Sequence, residues 1–218
     1  MDLTIDLETA PTAARDSVTA FVDAVDGFDE LALLGASRCH GWTRLDVVVH
    51  VIAGWQEMLG GFVSPVEQEP TVDAASYWPV FAEEETGDPL VTLMAQRRRS
   101  ASYSRPSSAC SQLRDVAEAV LRGTAGLAEG HYLWQGQVFT AGDFLAIWAV
   151  EDVIHHLDLL AGQPAPGSAL DLAGDTVAAL AGPLPADWTA EDAVLIGTGR
   201  RPVPDGAGPL AARLPALG

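Results

Sequence analysis

The chain of 218 residues contains no lysine and no asparagine, and all 12 of its basic side chains are arginines. Without lysine it cannot form the Schiff base of a pyridoxal-phosphate enzyme or place a P-loop lysine on a nucleotide phosphate. Both missing residues have A-rich codons, so a GC-rich genome accounts for their absence.

Positive charge is scarce overall. The 12 arginines face 30 acidic residues, which gives a formal net charge of −18. Nucleic-acid binding needs a dense basic surface, and an anionic membrane repels an acidic protein. We therefore expect neither a nucleic acid nor a membrane as a partner.

Long apolar runs and a leader sequence are also missing. No uncharged stretch approaches the roughly 20 apolar residues that a membrane-spanning helix needs. The N-terminal MDLTIDLETAP lacks the basic and then apolar pattern of a signal peptide. Two cysteines, Cys39 and Cys110, form neither a disulfide framework nor a CxxC pair. These absences predict a soluble, cytoplasmic protein.

Apolar residues recur at helical spacing in four long segments. These segments cover about residues 9–26, 43–60, 108–128 and 140–161. Between the second and the third we expect a loop over 61–71 and two shorter helices within 72–104. The pattern predicts an all-α fold, a four-helix bundle with a long crossover.

The composition shifts to glycine, proline and alanine after residue 161. We predict a metal-binding bundle over residues 1–161 and a small mixed appendage over residues 162–218. Within the appendage, residues 172–180 are expected to form a fifth helix and residues 193–196 a short strand.

Two of the long helices begin with the same pattern, WTRLDV at 42–47 and FTAGDF at 139–144. Threonine is the expected N-cap, the aspartate can complete a capping box, and the flanking apolar residues can form a hydrophobic staple. A third copy, WTAEDA at 188–193, precedes the expected strand, so the pattern is not specific. We interpret it as helix capping by Thr43, Asp46, Thr140 and Asp143.

The last long helix carries the side chains that indicate chemistry. Glu151 and His155 are one turn apart, so both can reach the same atom. They lie on an aromatic and apolar stripe, where burying a carboxylate and an imidazole is unfavourable unless a divalent cation compensates both. His50 is the best-placed third ligand, and Asp46, one turn before it, is the expected acceptor for its other ring N–H.

Spacing alone leaves other interpretations open. A Glu–His pair one turn apart is often a surface ion pair or a structural histidine, and a solvent-facing His50 fits its polar stripe. His156 is expected to be exposed or to support the ligands. His40 and His131 are expected in loops.

The segment GWTRLDVVVHVIAGW at 41–55, together with EDVIHHLDLL at 151–160, resembles the DinB-like superfamily of four-helix-bundle metalloenzymes. Within that superfamily the chain is most similar to the mycothiol-dependent maleylpyruvate isomerase family. The resemblance covers the bundle, about three-quarters of the chain. It implies that His50, Glu151 and His155 hold a divalent metal, with zinc favoured over nickel or iron.

The same resemblance implies mycothiol, a sugar-linked cysteine thiol, as the small-molecule partner, with its sulfur attacking an electrophilic carbon. Neither Cys39 nor Cys110 lies near a motif, which suits an enzyme whose nucleophile arrives with its cofactor. We expect a metal-dependent mycothiol S-transferase or isomerase acting on a small electrophile. A metal-dependent hydrolase without thiol and a non-catalytic metal-binding bundle are the alternatives, and a homodimer is left open.

An anionic substrate would have to be bound by arginine. Arg200 lies in GTGRRP at 197–202, which is similar to a TGR segment of the family's tails, and is the candidate for a substrate carboxylate. The run 97–99 points in three directions and is expected to be a solvated face. The short tail departs from the folded α/β C-terminal domain of the family's isomerase. This difference weakens the expectation of that particular isomerase reaction more than the expectation of a metal site.

Overall fold

The structure is a computed structural model that describes residues 2–84 and 87–217. Its helices are α1 (Ala10–Asp26), α2 (Glu30–Leu33), α3 (Arg44–Phe62), α4 (Tyr77–Glu84), α5 (Pro89–Ser100), α6 (Pro106–Gly126), α7 (Ala141–Asp158), α8 (Gly167–Ala181) and α9 (Ala190–Gly197). A 3₁₀ helix follows at Gly208–Arg213. The strands are β1 (Pro65–Val66), β2 (His131–Trp134) and β3 (Gln137–Thr140). The fold is thus mostly helical, in agreement with the predicted class.

The four long helices share one core. Helix α1 packs against α6 and α7, and α3 packs against the same two helices. Aromatic side chains fill the centre, where the rings of Phe21 and Trp55 meet edge to face at 5.8 Å. Within the described residues, no helix is long and apolar enough to cross a membrane.

Helix α7 is the most deeply buried element. Every residue from Ala141 to Asp158 is buried except Glu151, which is partly exposed. Its apolar residues therefore contact neighbours on all sides of the helix rather than on one amphipathic face. The single opening in this packing lies at a candidate metal ligand.

The predicted caps position both helices that carry the site. Thr43 and Asp46 form a full capping box at the start of α3, with each side chain accepting from the other's backbone N–H. At the start of α7, the Thr140 hydroxyl accepts from the Asp143 N–H at 3.1 Å. Asp143 instead accepts from the backbone N–H of Ile5 at 2.8 Å, which ties the N-terminal segment to α7.

A small antiparallel sheet was not expected from the sequence. Strands β2 and β3 form a hairpin. Strand β1, which lies within the predicted loop over 61–71, pairs with β2. The turn residues Gln135 and Gly136 have positive φ angles of 46° and 75°, as a two-residue hairpin turn requires. His131, expected in a loop, lies in β2.

The C-terminal segment is helical. The expected fifth helix is confirmed as part of α8, which packs on α1 and α7. The strand predicted at 193–196 is wrong, because these residues lie in α9, whose start is fixed by a Thr189–Asp192 capping box. A short apolar run fits either structure, and the cap decides for the helix. The division of the chain after residue 161 stays a prediction.

The contact between the N-terminal segment and α7 can be tested at Gly142. A Cβ atom there would overlap the backbone of Ile5 and Asp6. We expect Gly142→Ala to lower the free energy of unfolding by about 2 kcal/mol, because backbone must move to relieve the overlap. Gly60→Ala in α3, where a Cβ meets no atom within 4 Å, should leave stability unchanged or raise it by up to ~1 kcal/mol. Urea denaturation measures the unfolding free energy of both variants. Equal changes in Gly142→Ala and Gly60→Ala would contradict the close packing of Gly142 against the N-terminal segment.

Candidate metal centre

His50, Glu151 and His155 meet where α3 faces α7. The Oε1 atom of Glu151 lies 3.2 Å from Nε2 of His50 and 3.5 Å from Nε2 of His155. The two imidazole rings are edge to face, with centroids 4.8 Å apart. The structure thus brings together the three residues that the sequence suggested as ligands, with one ligand atom from each within 4.8 Å of the others. Two imidazoles and a carboxylate suit a zinc-type ion.

Exposure differs among the three side chains. The side chains of His50 and Glu151 are 34 % and 32 % exposed, whereas that of His155 is 10 % exposed. The cluster therefore lies at the bottom of an opening, with His155 on its protein side. Such a site is accessible to a small molecule while most of its surroundings remain dry.

Glu151 and His155 stabilise each other's charged forms, and His50 contacts the same carboxylate oxygen. Burial disfavours ionisation of Glu151, but hydrogen bonds with His155 and His50 outweigh it and hold the pKa of this carboxyl well below its usual range. Burial likewise disfavours the charged form of His155, but hydrogen bonds involving Asp158, Cys39 and Glu151 raise the pKa of this imidazole well above its usual value. Positive charge is thus favoured where the sequence predicts a cation.

Comparison with known proteins places the chain in a family. The family model for the mycothiol maleylpyruvate isomerase N-terminal domain matches residues 13–160. The chain belongs to this family.

Two solved structures share the fold of this family member. They are a mycothiol-dependent maleylpyruvate isomerase, with a TM-score of 0.57, and a histidine-to-alanine mutant of such an enzyme, with a TM-score of 0.56. Each is 19 % identical over 81 % of this chain and 70 % of the other. No curated protein sequence matches the chain.

Two cavities open on either side of Glu151 and Phe81. The first, of about 220 Å³, lies on the His50 side and has aromatic walls and a polar rim. Its walls include Tyr77, Trp134 and Trp148, and its rim includes Glu57, Arg99 and Gln135. The second, of about 300 Å³, lies on the His155 side and is bounded by Thr198, Arg200, Ala216 and Leu217 of the C-terminal segment.

A fully buried carboxylate, Asp158, lies behind His155. Its Oδ2 is 3.1 Å from Nδ1 of His155 and 3.1 Å from Sγ of Cys39. Arg200 donates to both carboxylate oxygens, from Nε at 2.7 Å and from Nη2 at 2.8 Å. Burial opposes ionisation of Asp158, but the bonds with His155 and Arg200 dominate and hold the pKa of its carboxyl well below its usual range.

Cys39 belongs to no motif in the sequence, but its thiol lies beside the candidate centre. The thiol donates to Asp158 from 119 positions away in sequence, and no local pattern around Cys39 indicates that contact. Cys39, His155 and Asp158 also have the spacing of a metal site. The Arg200 guanidinium already neutralises Asp158, however, so a second cation there would meet like charge.

Asp46 does not orient His50 as expected. Its carboxylate accepts from the backbone N–H and the hydroxyl of Thr43, both at 2.8 Å, so it is used by the helix cap. The Trp42 ring instead lies beside the His50 ring, with centroids 5.3 Å apart. Trp42, the aromatic residue expected in the hydrophobic staple before α3, therefore also packs beside the candidate metal ligand His50.

The other predicted polar residues lie outside the cluster. His156 is buried rather than exposed, and its Nε2 lies 3.2 Å from the Gln163 carbonyl oxygen, away from the metal candidates. His40 is exposed. The arginines at 97–99 are exposed as expected, although Arg99 also reaches the rim of the first cavity.

Asp152 is a buried carboxyl that the sequence did not single out. It accepts from Nε1 of Trp55 at 2.8 Å and lies 3.2 Å from the Ser17 hydroxyl. That hydroxyl can donate to the Ala14 carbonyl at 3.0 Å while accepting a hydrogen bond from a protonated Asp152. Burial raises the pKa of Asp152 to about 7.

The raised pKa of Asp152 predicts a pH dependence of stability. The folded protein holds this proton at pH values where the unfolded chain has lost it, so stability falls as pH rises from about 4 to about 7. Asp152→Asn should remain folded and lack this component, which amounts to at most ~1.4 kcal/mol per pH unit. Urea denaturation of both proteins at pH 5 and pH 8 in a chelator measures it, with the exposed Asp187→Asn as control. Parallel pH profiles for wild type and Asp152→Asn would count against a protonated Asp152.

Proposed function

We propose that the chain is a divalent-metal-dependent mycothiol S-transferase or isomerase that acts on a small electrophile. The observation that carries the proposal is the meeting of His50, Glu151 and His155 between two cavities in a member of this family. Under this proposal α1, α3, α6 and α7 form the bundle of a DinB-like metalloenzyme. Residues 1–161 then form its metal-binding unit and residues 162–218 its appendage.

The donor set fits the implied ion. Both imidazoles present Nε2 toward one carboxylate oxygen, so a cation placed among these three atoms would have two nitrogen ligands and one oxygen ligand. Three protein ligands are typical of catalytic zinc, and nickel or iron are the alternatives. When bound there, the ion supplies a Lewis acid that lowers the pKa of a thiol toward neutrality.

The chain's own thiols are poorly suited to be the nucleophile. Cys110 is buried, and burial raises the pKa of its thiol. The Cys39 thiol donates a hydrogen bond to the buried carboxylate of Asp158. A thiol that enters with the substrate therefore fits better. In transfer, the thiol loses its proton and its sulfur bonds to the electrophilic carbon, while the bond from that carbon to a leaving group breaks and the leaving group departs with the electron pair. In isomerisation, it adds to a double bond, permits rotation about the resulting single bond, and leaves as the regenerated thiol.

The two cavities give each reactant a place beside the candidate ligands. Aromatic walls with carboxylate, amide and guanidinium groups at the rim can bind a hydroxyl-rich ring, so we assign the sugar part of mycothiol to the first cavity. The electrophile is assigned to the second cavity, beside His155 and Arg200. Binding of a substrate carboxylate by Arg200 stays a prediction.

Metal content tests the proposal directly. Protein purified without chelator should contain about one equivalent of zinc, nickel or iron by elemental analysis. The variant His155→Ala should no longer bind the metal. It should also no longer consume mycothiol in the presence of a panel of electrophiles, because that reaction depends on the metal. The exposed His40→Ala, outside the cluster, is the matched control and should retain both.

Each failure of that experiment has a defined meaning. Metal-free wild-type protein, or activity that survives loss of the metal in His155→Ala, would overturn the proposed mechanism. Hydrolysis of esters or amides in the absence of thiol would show that the protein is a metal-dependent hydrolase rather than a mycothiol transferase or isomerase.

The assignment of the first cavity can be tested at Gln135. This residue adopts a left-handed backbone, which costs a residue other than glycine ~1–2 kcal/mol. Its side chain reaches Glu57 at the cavity rim, with 3.2 Å between Nε2 and Oε2. Gln135→Gly should leave the unfolding free energy unchanged or higher while raising the KM for mycothiol several-fold. Unchanged KM for mycothiol would remove Gln135, and with it this rim, from the binding site.

A further inference from the structure

We propose that Asp158 and Arg200 are positioning residues through which the C-terminal segment controls the metal affinity of His155. The inference rests on the proposed function in one respect, because it requires a metal to bind at His50, Glu151 and His155. It goes further in assigning a purpose to the ion pair between Asp158 and Arg200, which borders the second cavity.

The first step concerns the two nitrogens of His155. Nδ1 faces Asp158 at 3.1 Å, and Nε2 faces Glu151 at 3.5 Å. When Nδ1–H donates to the carboxylate, the neutral ring must carry its lone pair on Nε2, the atom directed at the candidate site. Asp158 thus selects the tautomer that can bind a metal and fixes the rotation of the ring.

The second step concerns what holds Asp158. Its side chain is fully buried, and a buried carboxylate without a compensating charge would shift, bind a proton or destabilise the protein. Arg200 supplies that charge through two parallel N–H donors, one to each oxygen. Cys39 adds a third donor from the segment before α3.

The third step concerns where Arg200 comes from. Helix α9 ends at Gly197, and Gly199, with a φ of 69°, turns the chain back toward α7. The remaining guanidinium nitrogen, Nη1, lies 3.4 Å from the Thr198 carbonyl oxygen. Nε and Nη2 of the guanidinium are therefore used by Asp158, and the C-terminal segment acts on His155 through this carboxylate.

Metal affinity measured without any substrate tests this arrangement. Zinc dissociation constants are obtained by chelator competition, and the visible spectrum of the Co²⁺-loaded protein reports ligand geometry. Asp158→Asn is expected to weaken zinc binding about 10–100-fold and to alter the Co²⁺ spectrum. Arg200→Gln should weaken it in the same direction, and Arg200→Lys should restore part of the loss. Arg201→Gln, which breaks a pair with Asp192 instead, is the matched control and should bind zinc as wild type does.

The double variant Asp158→Asn/Arg200→Gln separates positioning from general damage. If Arg200 acts through Asp158, the double variant binds zinc no more weakly than Asp158→Asn alone. Additive losses, or wild-type zinc affinity and Co²⁺ spectra in Asp158→Asn and Arg200→Gln, overturn the inference. Should Asp158→Asn fail to fold by circular dichroism, the Arg200→Gln and Arg200→Lys pair decides alone. Wild-type protein that binds no metal defeats the proposed function itself, whereas metal-binding wild type with unaffected variants defeats only this inference.

Discussion

Burial of α7 on every side is the constraint on which the rest of the structure depends. A polar side chain on this helix has no access to bulk water and must find its partner inside the protein. Asp143 accepts a hydrogen bond from the N-terminal segment, and Asp158 accepts one from Arg200. Asp152 forms hydrogen bonds with Trp55 and Ser17. Each of these carboxyls thereby fastens a different part of the chain to α7, so the polar residues of the helix organise the fold around it.

Glu151 is the exception, and the candidate site exists because of it. It is the one residue of α7 that keeps access to the outside, and its carboxylate is held by two imidazoles rather than by an arginine or by backbone N–H groups. An imidazole can exchange a proton for a metal ion, whereas a guanidinium cannot. The choice of histidine at this point therefore makes the cluster suitable for binding a cation that the other buried carboxyls of α7 would not accept.

What could be predicted from sequence follows the range of the interactions. Helical periodicity and caps are local, so the long helices and the pairing of Glu151 with His155 were accessible. His50 could be suggested from its place in the middle of the second long helix, and the family motif then linked it to α7. Cys39 and the Asp158–Arg200 pair could not, since their partners are defined only by the folded chain. The strand expected at 193–196 failed for a related reason: a short apolar run carries little periodicity, and the threonine cap before it was the more reliable guide.

The wall between the two cavities has a kinetic consequence. Because Glu151 and Phe81 border both spaces, an occupant of one need not leave before the other is filled. Under the proposed function, two reactants bound in the two cavities can meet in a ternary complex in either order, and the protein itself need not carry a covalent intermediate between them. Double-reciprocal plots of initial velocity for such a sequential mechanism intersect rather than run parallel. Substitutions that line one cavity can then change the affinity for one reactant without changing the affinity for the other.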